Sequence, residues 1–218
     1  MKKNTVLFCT GESGSGKSFF ITDILPAGSF YNLKSATTRP MRNDGKDCHK
    51  YYFRDESYFD SEKFVTKLWV NEQFWTPGQP KWMYGVPEFE VFNNIGANFA
   101  YDVIQPRYVR QMIDWFKNNN LDKKYEFKIM WFRPSINAKN VIQGRQNMPD
   151  DSKVREANTC GLQDIKNAGL EPDFYIQRLE IPGENFSNYS IISKTGAKIA
   201  DLSLSSLMLK YISSKRSK

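Results

Sequence analysis

Apolar and polar positions along the chain fall into blocks that alternate between strand-like runs and helical stripes. Val6-Leu7-Phe8-Cys9 is a continuous apolar run of the kind a fully buried strand needs, which predicts a strand over about residues 5 to 10. Phe19-Phe20-Ile21 then opens a short helix that must stop near Leu25, because Pro26-Ala27-Gly28 is a breaker cluster. Ser29-Phe30-Tyr31-Asn32-Leu33 reads as the next strand, and Asn98-Phe99-Ala100-Tyr101-Asp102-Val103 as a central strand with an acidic end. Pro106 starts a helix whose apolar residues Val109, Met112, Ile113 and Phe116 share one stripe, and Asn118-Asn119-Asn120 ends it. Tyr125 to Phe132 is a further core strand, followed by Arg133-Pro134-Ser135 and another helix. Pro172 precedes a last core strand, Asp173 to Gln177, and residues 180 to 196 read as a loop or hairpin. Leu204, Leu207, Met208, Tyr211 and Ile212 give a final helix packed on the core. Strands alternating with helices predict an α/β fold: a parallel sheet flanked by helices, with a ligand at the carboxyl ends of the strands.

Composition narrows this picture without changing it. The 218 residues suffice for one well-buried α/β core with insertions, and 40% hydrophobic with 15% aromatic residues argues against disorder. No run approaches the ~18 apolar residues of a membrane span. Met1 to Thr5 lead straight into the first strand and leave no room for a signal peptide, so the expectation is a cytoplasmic protein. Cys9, Cys48 and Cys160 are odd in number and widely spaced, which fits a reducing compartment and excludes a C-x-x-C zinc or redox site. His49 is the single histidine, so neither a Ser-His-Asp hydrolase nor a histidine-rich metal site is expected. The net charge of +7 suits a protein that handles anions, either nucleotides or nucleic acid, although part of the excess lies in the tail at Lys210, Lys215, Arg216 and Lys218.

The chemistry begins at Gly11-Glu12-Ser13-Gly14-Ser15-Gly16-Lys17-Ser18, which satisfies G-x-x-x-x-G-K-[ST] between a predicted strand and a predicted helix. The glycines let successive backbone N–H groups point at phosphate oxygens, and the start of the helix adds its positive end. Lys17 is placed to reach the outer phosphates of ATP, and the Ser18 hydroxyl to ligate magnesium. A Gly/Ser-rich linker needs neither the terminal Lys-Ser nor a buried strand before it.

A second stretch is Ser35-Ala36-Thr37-Thr38-Arg39-Pro40-Met41-Arg42, followed by Asp44-Gly45 and Tyr51-Tyr52-Phe53. Two arginines with hydroxyls before them and tyrosines after them suit one compact dianion. The planar guanidinium fork matches phosphate oxygens, while Ser35 and Tyr51 add neutral hydrogen bonds. Taken locally, the same arginines also fit a solvated Pro/Asp/Gly loop.

The P-loop, the Ser-x-Thr-Thr-Arg-x-x-Arg run, Tyr-x-Phe and then Tyr84-Gly85, in this order and spacing, resemble the guanylate kinase family of nucleoside monophosphate kinases over residues 5 to about 90. The resemblance implies a P-loop kinase core at about 1–33, 90–136 and 156–218, a monophosphate-binding lobe at about 34–89, and a short lid at about 137–155. It also implies ATP and Mg2+ as cofactors and a nucleoside monophosphate as substrate. The family's phosphate-holding residues match Ser35, Arg39, Arg42, Tyr51 and Tyr84. Its lid arginines match Arg145 and Arg155, and Val141 stands where an earlier one would be. Its strand ending in Asp-x-Asp matches Asp102 beside magnesium, with Ile104 in place of the base-contacting carboxylate. The catalytic set implied is Lys17, Arg42, Arg145 and Arg155, with Ser18 and Asp102 toward the metal.

The departures gather where the base is read. The family's glutamate ahead of Tyr-Gly corresponds to Glu72 if the loop Thr76 to Trp82 is longer, and to Val70 or Trp75 if it is not. Trp69, Phe74, Trp75 and Trp82 are read either as packing or as a stacking wall for a different base. A buried site rejects a base strongly through hydrogen bonds it leaves unpaired, so these changes bear on specificity. The same residues leave open another small phosphorylated acceptor and a nucleic-acid kinase. A non-catalytic binding module is disfavoured by the retention of Lys17, Ser18, Arg145 and Arg155. A monomer or homodimer with no membrane association is expected.

Overall fold

The first apolar run dictates the architecture. Val6, Leu7, Phe8 and Cys9 are each at most 1% exposed. A strand buried on both faces needs a layer above, a layer below and a neighbour on each edge. The computed structural model, which describes residues 2–11, 15–25, 29–41, 45, 47–69, 81–103, 105–133, 162–179, 188–194 and 198–202, supplies all of these. In chain order its elements are β1 (Asn4–Gly11), α1 (Lys17–Phe19) continued by a π-helical turn (Phe20–Ile24), β2 (Tyr31–Asn32), β3 (Ser35–Thr37), β4 (Tyr51–Phe53), α2 (Glu56–Ser61), β5 (Phe64–Trp69), β6 (Met83–Pro87) and α3 (Glu88–Phe92). There follow β7 (Phe99–Val103), α4 (Pro106–Asn118), β8 (Tyr125–Phe132), α5 (Leu162–Asn167), β9 (Phe174–Leu179), β10 (Asn188–Ser193) and β11 (Lys198–Leu202).

The main sheet has the order β11-β10-β9-β8-β1-β7-β2. β1 pairs in parallel with β7 and with β8, β7 with β2, and β8 with β9, so the central strands all point their carboxyl ends the same way. Alternation along β1 sends Val6 and Phe8 to one face, where they meet Phe99, Tyr101 and the α4 stripe Val109, Met112, Ile113 and Phe116. Leu7 and Cys9 go to the other, against Phe20, Ile21, Leu25, Met130 and Phe132. The α/β class expected from the pattern is the one observed.

Local chemistry sets the element ends. Pro106 sits in the first turn of α4, where its missing N–H is not needed. Asn120 takes φ 57°, the left-handed conformation that closes a helix, and Leu121 N–H reaches back to Phe116 O at 2.8 Å. Asp55 caps α2 by accepting from Tyr58 N–H at 3.1 Å.

Two expectations are corrected. The strand read over residues 29 to 33 pairs only through Tyr31 and Asn32, because the chain turns away and the Lys34 N–H goes to the Glu90 carboxylate at 3.0 Å. Asp173 to Gln177 does not end the sheet: β9 turns antiparallel onto β10, and β10 onto β11. The antiparallel pair of β9 and β10 is the hairpin alternative expected for residues 180 to 196, whereas short strands of mixed polarity carry too little period-2 signal to show β11. The helix expected after Pro134 and the final helix from Leu204 lie outside the described residues.

Residues between β2 and β7 build a second sheet of order β4-β3-β6-β5. It shares its core with the main one, since Val65 and Val86 belong to the same buried cluster as Phe99 and Met112. Trp82 is buried, and Trp69 packs against the small cluster of Ala36, Phe59 and Met83 with Lys81 Nζ 4.5 Å from its ring centroid. The chain crosses between the sheets at Leu33–Lys34 and at α3, and Glu90 joins both crossings. Its carboxylate, in a residue 2% exposed, accepts from Tyr31 Oη at 3.1 Å, Lys34 N–H at 3.0 Å and Tyr52 Oη at 2.6 Å. Removing a buried acceptor strands its donors. Glu90→Ala is therefore expected to lower unfolding free energy by about 3 kcal/mol in urea titrations, and Glu90→Gln by less. A Glu90→Ala midpoint equal to that of the parent would show that the network contributes nothing.

Candidate active site

Gly11 ends β1 at a point where no other residue fits. Its φ is 140°, and a Cβ there would lie 2.4 Å from the Phe132 carbonyl oxygen on the neighbouring strand. The chain re-enters at Ser15, which is 1% exposed, and Gly16 takes φ 94° to start α1. Lys17 folds back, and its Nζ donates to the Gly11 carbonyl at 2.9 Å, closing the loop on itself. Glu12, Ser13 and Gly14 lie outside the described residues.

The parallel pairing of β7 with β1 sets Asp102 opposite Cys9, just before this loop. Ser18 Oγ donates to Asp102 Oδ2 at 2.6 Å, and Lys17 Nζ lies 3.9 Å from Oδ1. Oδ1 is buried and accepts no hydrogen bond. A hydroxyl and a carboxylate on adjacent element ends, with one carboxylate oxygen left over, match the hard oxygen donors that magnesium takes in small number beside substrate phosphates. Among the described residues no group of three or more His, Cys, Asp or Glu side chains gathers at one point. Behind it, burial and then the Asp102 charge push the Cys9 thiol well up, so it stays neutral and inert.

A second cluster forms where β3, β4 and β6 meet. The pairings Ser35 with Tyr51, and Thr37 with both Phe53 and Tyr84, bring these side chains round Arg39. Arg39 is 3% exposed; its Nε donates to Tyr84 Oη at 3.0 Å, one terminal nitrogen to Pro40 O at 2.9 Å, and the other to the Asp47 carboxylate. The guanidinium carbon lies 5.5 Å from the Tyr51 ring centroid and 5.8 Å from that of Phe53. Burial alone would lower its pKa, but Tyr84 and Asp47 outweigh that and hold it above the ordinary value. Burial, then Tyr84 and Asp102, push the Tyr51 hydroxyl far up, which keeps it a neutral donor.

Ser35 Oγ lies 3.0 Å from Tyr101 Oη, on the strand that carries Asp102, and the Asp102 charge reaches the Tyr51 hydroxyl. The structure thus gathers Gly11, Ser15, Gly16, Lys17, Ser18 and Asp102 in one set and Ser35, Arg39, Tyr51 and Tyr84 in the other. Arg42, Glu72, Arg145 and Arg155 lie outside the described residues, as do Val70, Phe74, Trp75 and Ile104. Sequence reasoning missed Asp47, Phe53 and Tyr101. The first two stood in the Arg/Tyr stretch already singled out, whereas nothing local marks Tyr101 as more than a core residue.

No protein-family model matches the chain, and no curated protein matches it. Among solved structures it is similar to the crystal structure of guanylate kinase from Anaplasma phagocytophilum, at 15% identity and a TM-score of 0.44, over 81% of this chain and 78% of that one. A functional reading rests on the side chains themselves.

The buried hydroxyls make stability depend on alkaline pH. A tyrosine with a raised folded pKa holds its proton more tightly when folded, so its contribution is complete below the unfolded value near ~10 and is lost as pH rises past it. With Tyr51 and Tyr52 raised and Tyr101 pushed up to about 12, urea midpoints are expected to fall from pH ~10 upward. The slope is up to ~1.4 kcal/mol per pH unit for each such group, and shallower in Tyr51→Phe. A slope in Tyr51→Phe as steep as in the parent would remove that residue from the account.

Proposed function

We propose that the protein is an ATP- and magnesium-dependent nucleoside monophosphate kinase of the guanylate kinase type, moving the γ-phosphoryl of ATP onto the phosphate of a (deoxy)nucleoside monophosphate. One observation supports this reading: Lys17, Ser18 and Asp102 cluster at one strand end, and Arg39 lies with Tyr51 and Tyr84 in a second cluster that Ser35 ties to the same strand through Tyr101. One site for an outer phosphate beside another for a compact dianion is the requirement of transfer between two phosphates.

Phosphoryl transfer asks little covalent chemistry of a protein; it needs the two oxygens in line and the spreading charge met. The loop from Gly11 through Glu12, Ser13, Gly14, Ser15 and Gly16 cradles the ATP phosphates, and Lys17 exchanges its bond to the Gly11 carbonyl for a phosphate oxygen. Ser18 and Asp102 would hold Mg2+, which would supply positive charge against the phosphates when bound. Arg39, Ser35, Tyr51 and Tyr84 fix the acceptor. Its phosphate is already an anion, so no general base is required. Arg42, with Arg145 and Arg155 from a lid at about 137–155, completes the charge and excludes water. Glu72 is assigned to the base. Residues 34–89 act as the acceptor lobe, and the rest of 1–33, 90–136 and 156–218 as the donor-binding core, in one cytoplasmic domain working as a monomer or homodimer.

A buried Arg39 favours a small phosphate over a polymer, because nucleic-acid backbones are met by exposed basic side chains with strong salt dependence. No helix among the described residues is long and apolar enough to cross a membrane. The test is ADP formation from ATP and Mg2+ with a panel of ribo- and deoxynucleoside monophosphates. At least one is expected to turn over, and Lys17→Ala is expected to lower kcat roughly a hundredfold or more, the scale of losing a charge-stabilising donor. Turnover of none, or transfer to oligonucleotide 5′ ends alone, would overturn the reading.

A further inference from the structure

Tyr101 does not behave as the core residue its sequence context implies. It lies on β7 of the main sheet, in one buried cluster with Phe99, Val103, Tyr108 and Val109, yet its hydroxyl reaches out of that cluster to Ser35 on the second sheet. Both residues are 6% exposed, so a hydrogen bond lost there is not replaced by water at no cost. A hydroxyl has one proton to give and two lone pairs to offer, and the phenol is the more acidic of the two, hence the better donor. With Tyr101 donating, Ser35 Oγ accepts on one side and keeps its own proton for a third group.

We propose that Tyr101 is a positioning residue for the acceptor phosphate: its hydroxyl donates to Ser35 Oγ, turns the serine proton toward a phosphate oxygen, and ties Ser35 to the strand end that carries Asp102. This rests on the monophosphate kinase reading. A donor that is itself hydrogen-bonded by a second hydroxyl is polarised and gives a stronger bond. The tie crosses from one sheet to the other, so it also fixes Ser35 relative to Asp102 on the adjacent residue of β7. A tyrosine hydroxyl keeps its proton at any working pH, so the donor is present.

The test is steady-state kinetics of Tyr101→Phe, Ser35→Ala and the double variant with whichever monophosphate the parent turns over. Tyr101→Phe is expected to raise KM for the monophosphate about tenfold, the worth of a lost hydrogen bond, with KM for ATP unchanged and kcat little altered. Ser35→Ala is expected to raise it at least as much, and the double variant no further than Ser35→Ala, because Tyr101 acts only through the serine. A merely structural role would lower the melting temperature and both KM values together, without this coupling. Should Tyr101→Phe fail to fold, difluorotyrosine at position 101, a more acidic donor of nearly the same shape, is expected to lower the monophosphate KM. Turnover with additive effects, or with Tyr101→Phe equal to the parent, overturns this inference and leaves the kinase reading standing. No turnover of any monophosphate by the parent overturns both.

Discussion

The register of one parallel strand pair governs the candidate site. Cys9 faces Asp102 and Thr10 faces Val103, which brings the end of β7 level with the loop that leaves β1 at Gly11. Side chains alternate along a strand, so adjacent residues at that end serve opposite faces. Asp102 turns to the side of Ser18 and Lys17, while Tyr101 turns to the side of α4 and the second sheet. A slip of one residue would exchange them and leave neither half of the site complete. The register is fixed by burial on both faces: Val6, Phe8 and Phe99 on one, Leu7, Cys9 and Ala100 on the other.

The second constraint is how the chain leaves that sheet and returns. Apolar contact alone, from Val65 and Val86 against the α4 face, is non-directional and would allow the second sheet to slide. Glu90 supplies direction, because its carboxylate needs Tyr31, Lys34 and Tyr52 in three particular places. Ser35 follows directly on Lys34, and Tyr51 precedes Tyr52, so a fixed Glu90 network also fixes two members of the arginine site.

The sequence exposed the features that are local and left out those that depend on pairing. The β1 run, the α4 stripe from Pro106 to Asn118 and the Tyr125 to Phe132 strand are each written in neighbouring residues, and the structure places them at those positions. β3 and β4 are three residues each and carry no periodic signal, so a second sheet was not legible as such. Tyr101 and Glu90 illustrate the same limit. Each stands in an apolar or mixed stretch, and its role is set by a partner 66 or 56 residues away. Asp47 stood in view, but its pairing with Arg39 depends on the fold of the turn between β3 and β4.

Charge balance explains why the site uses the residue types it does. Asp102 is an awkward neighbour for phosphates: a carboxylate beside a dianion repels it unless a cation lies between. Lys17 stands 3.9 Å from Oδ1, and that oxygen has no hydrogen bond to weaken its pull on a positive group. On the other side, Arg39 has the Tyr84 hydroxyl and the Tyr51 ring against it, and burial, then Tyr84, push the Tyr51 hydroxyl far up. They give donors without adding cations that would repel the guanidinium, and Asp47 supplies the counter-charge a buried arginine requires. Among the described residues, buried Arg39 is thus balanced by Asp47 and buried Lys17 by Asp102, with hydroxyls around the guanidinium.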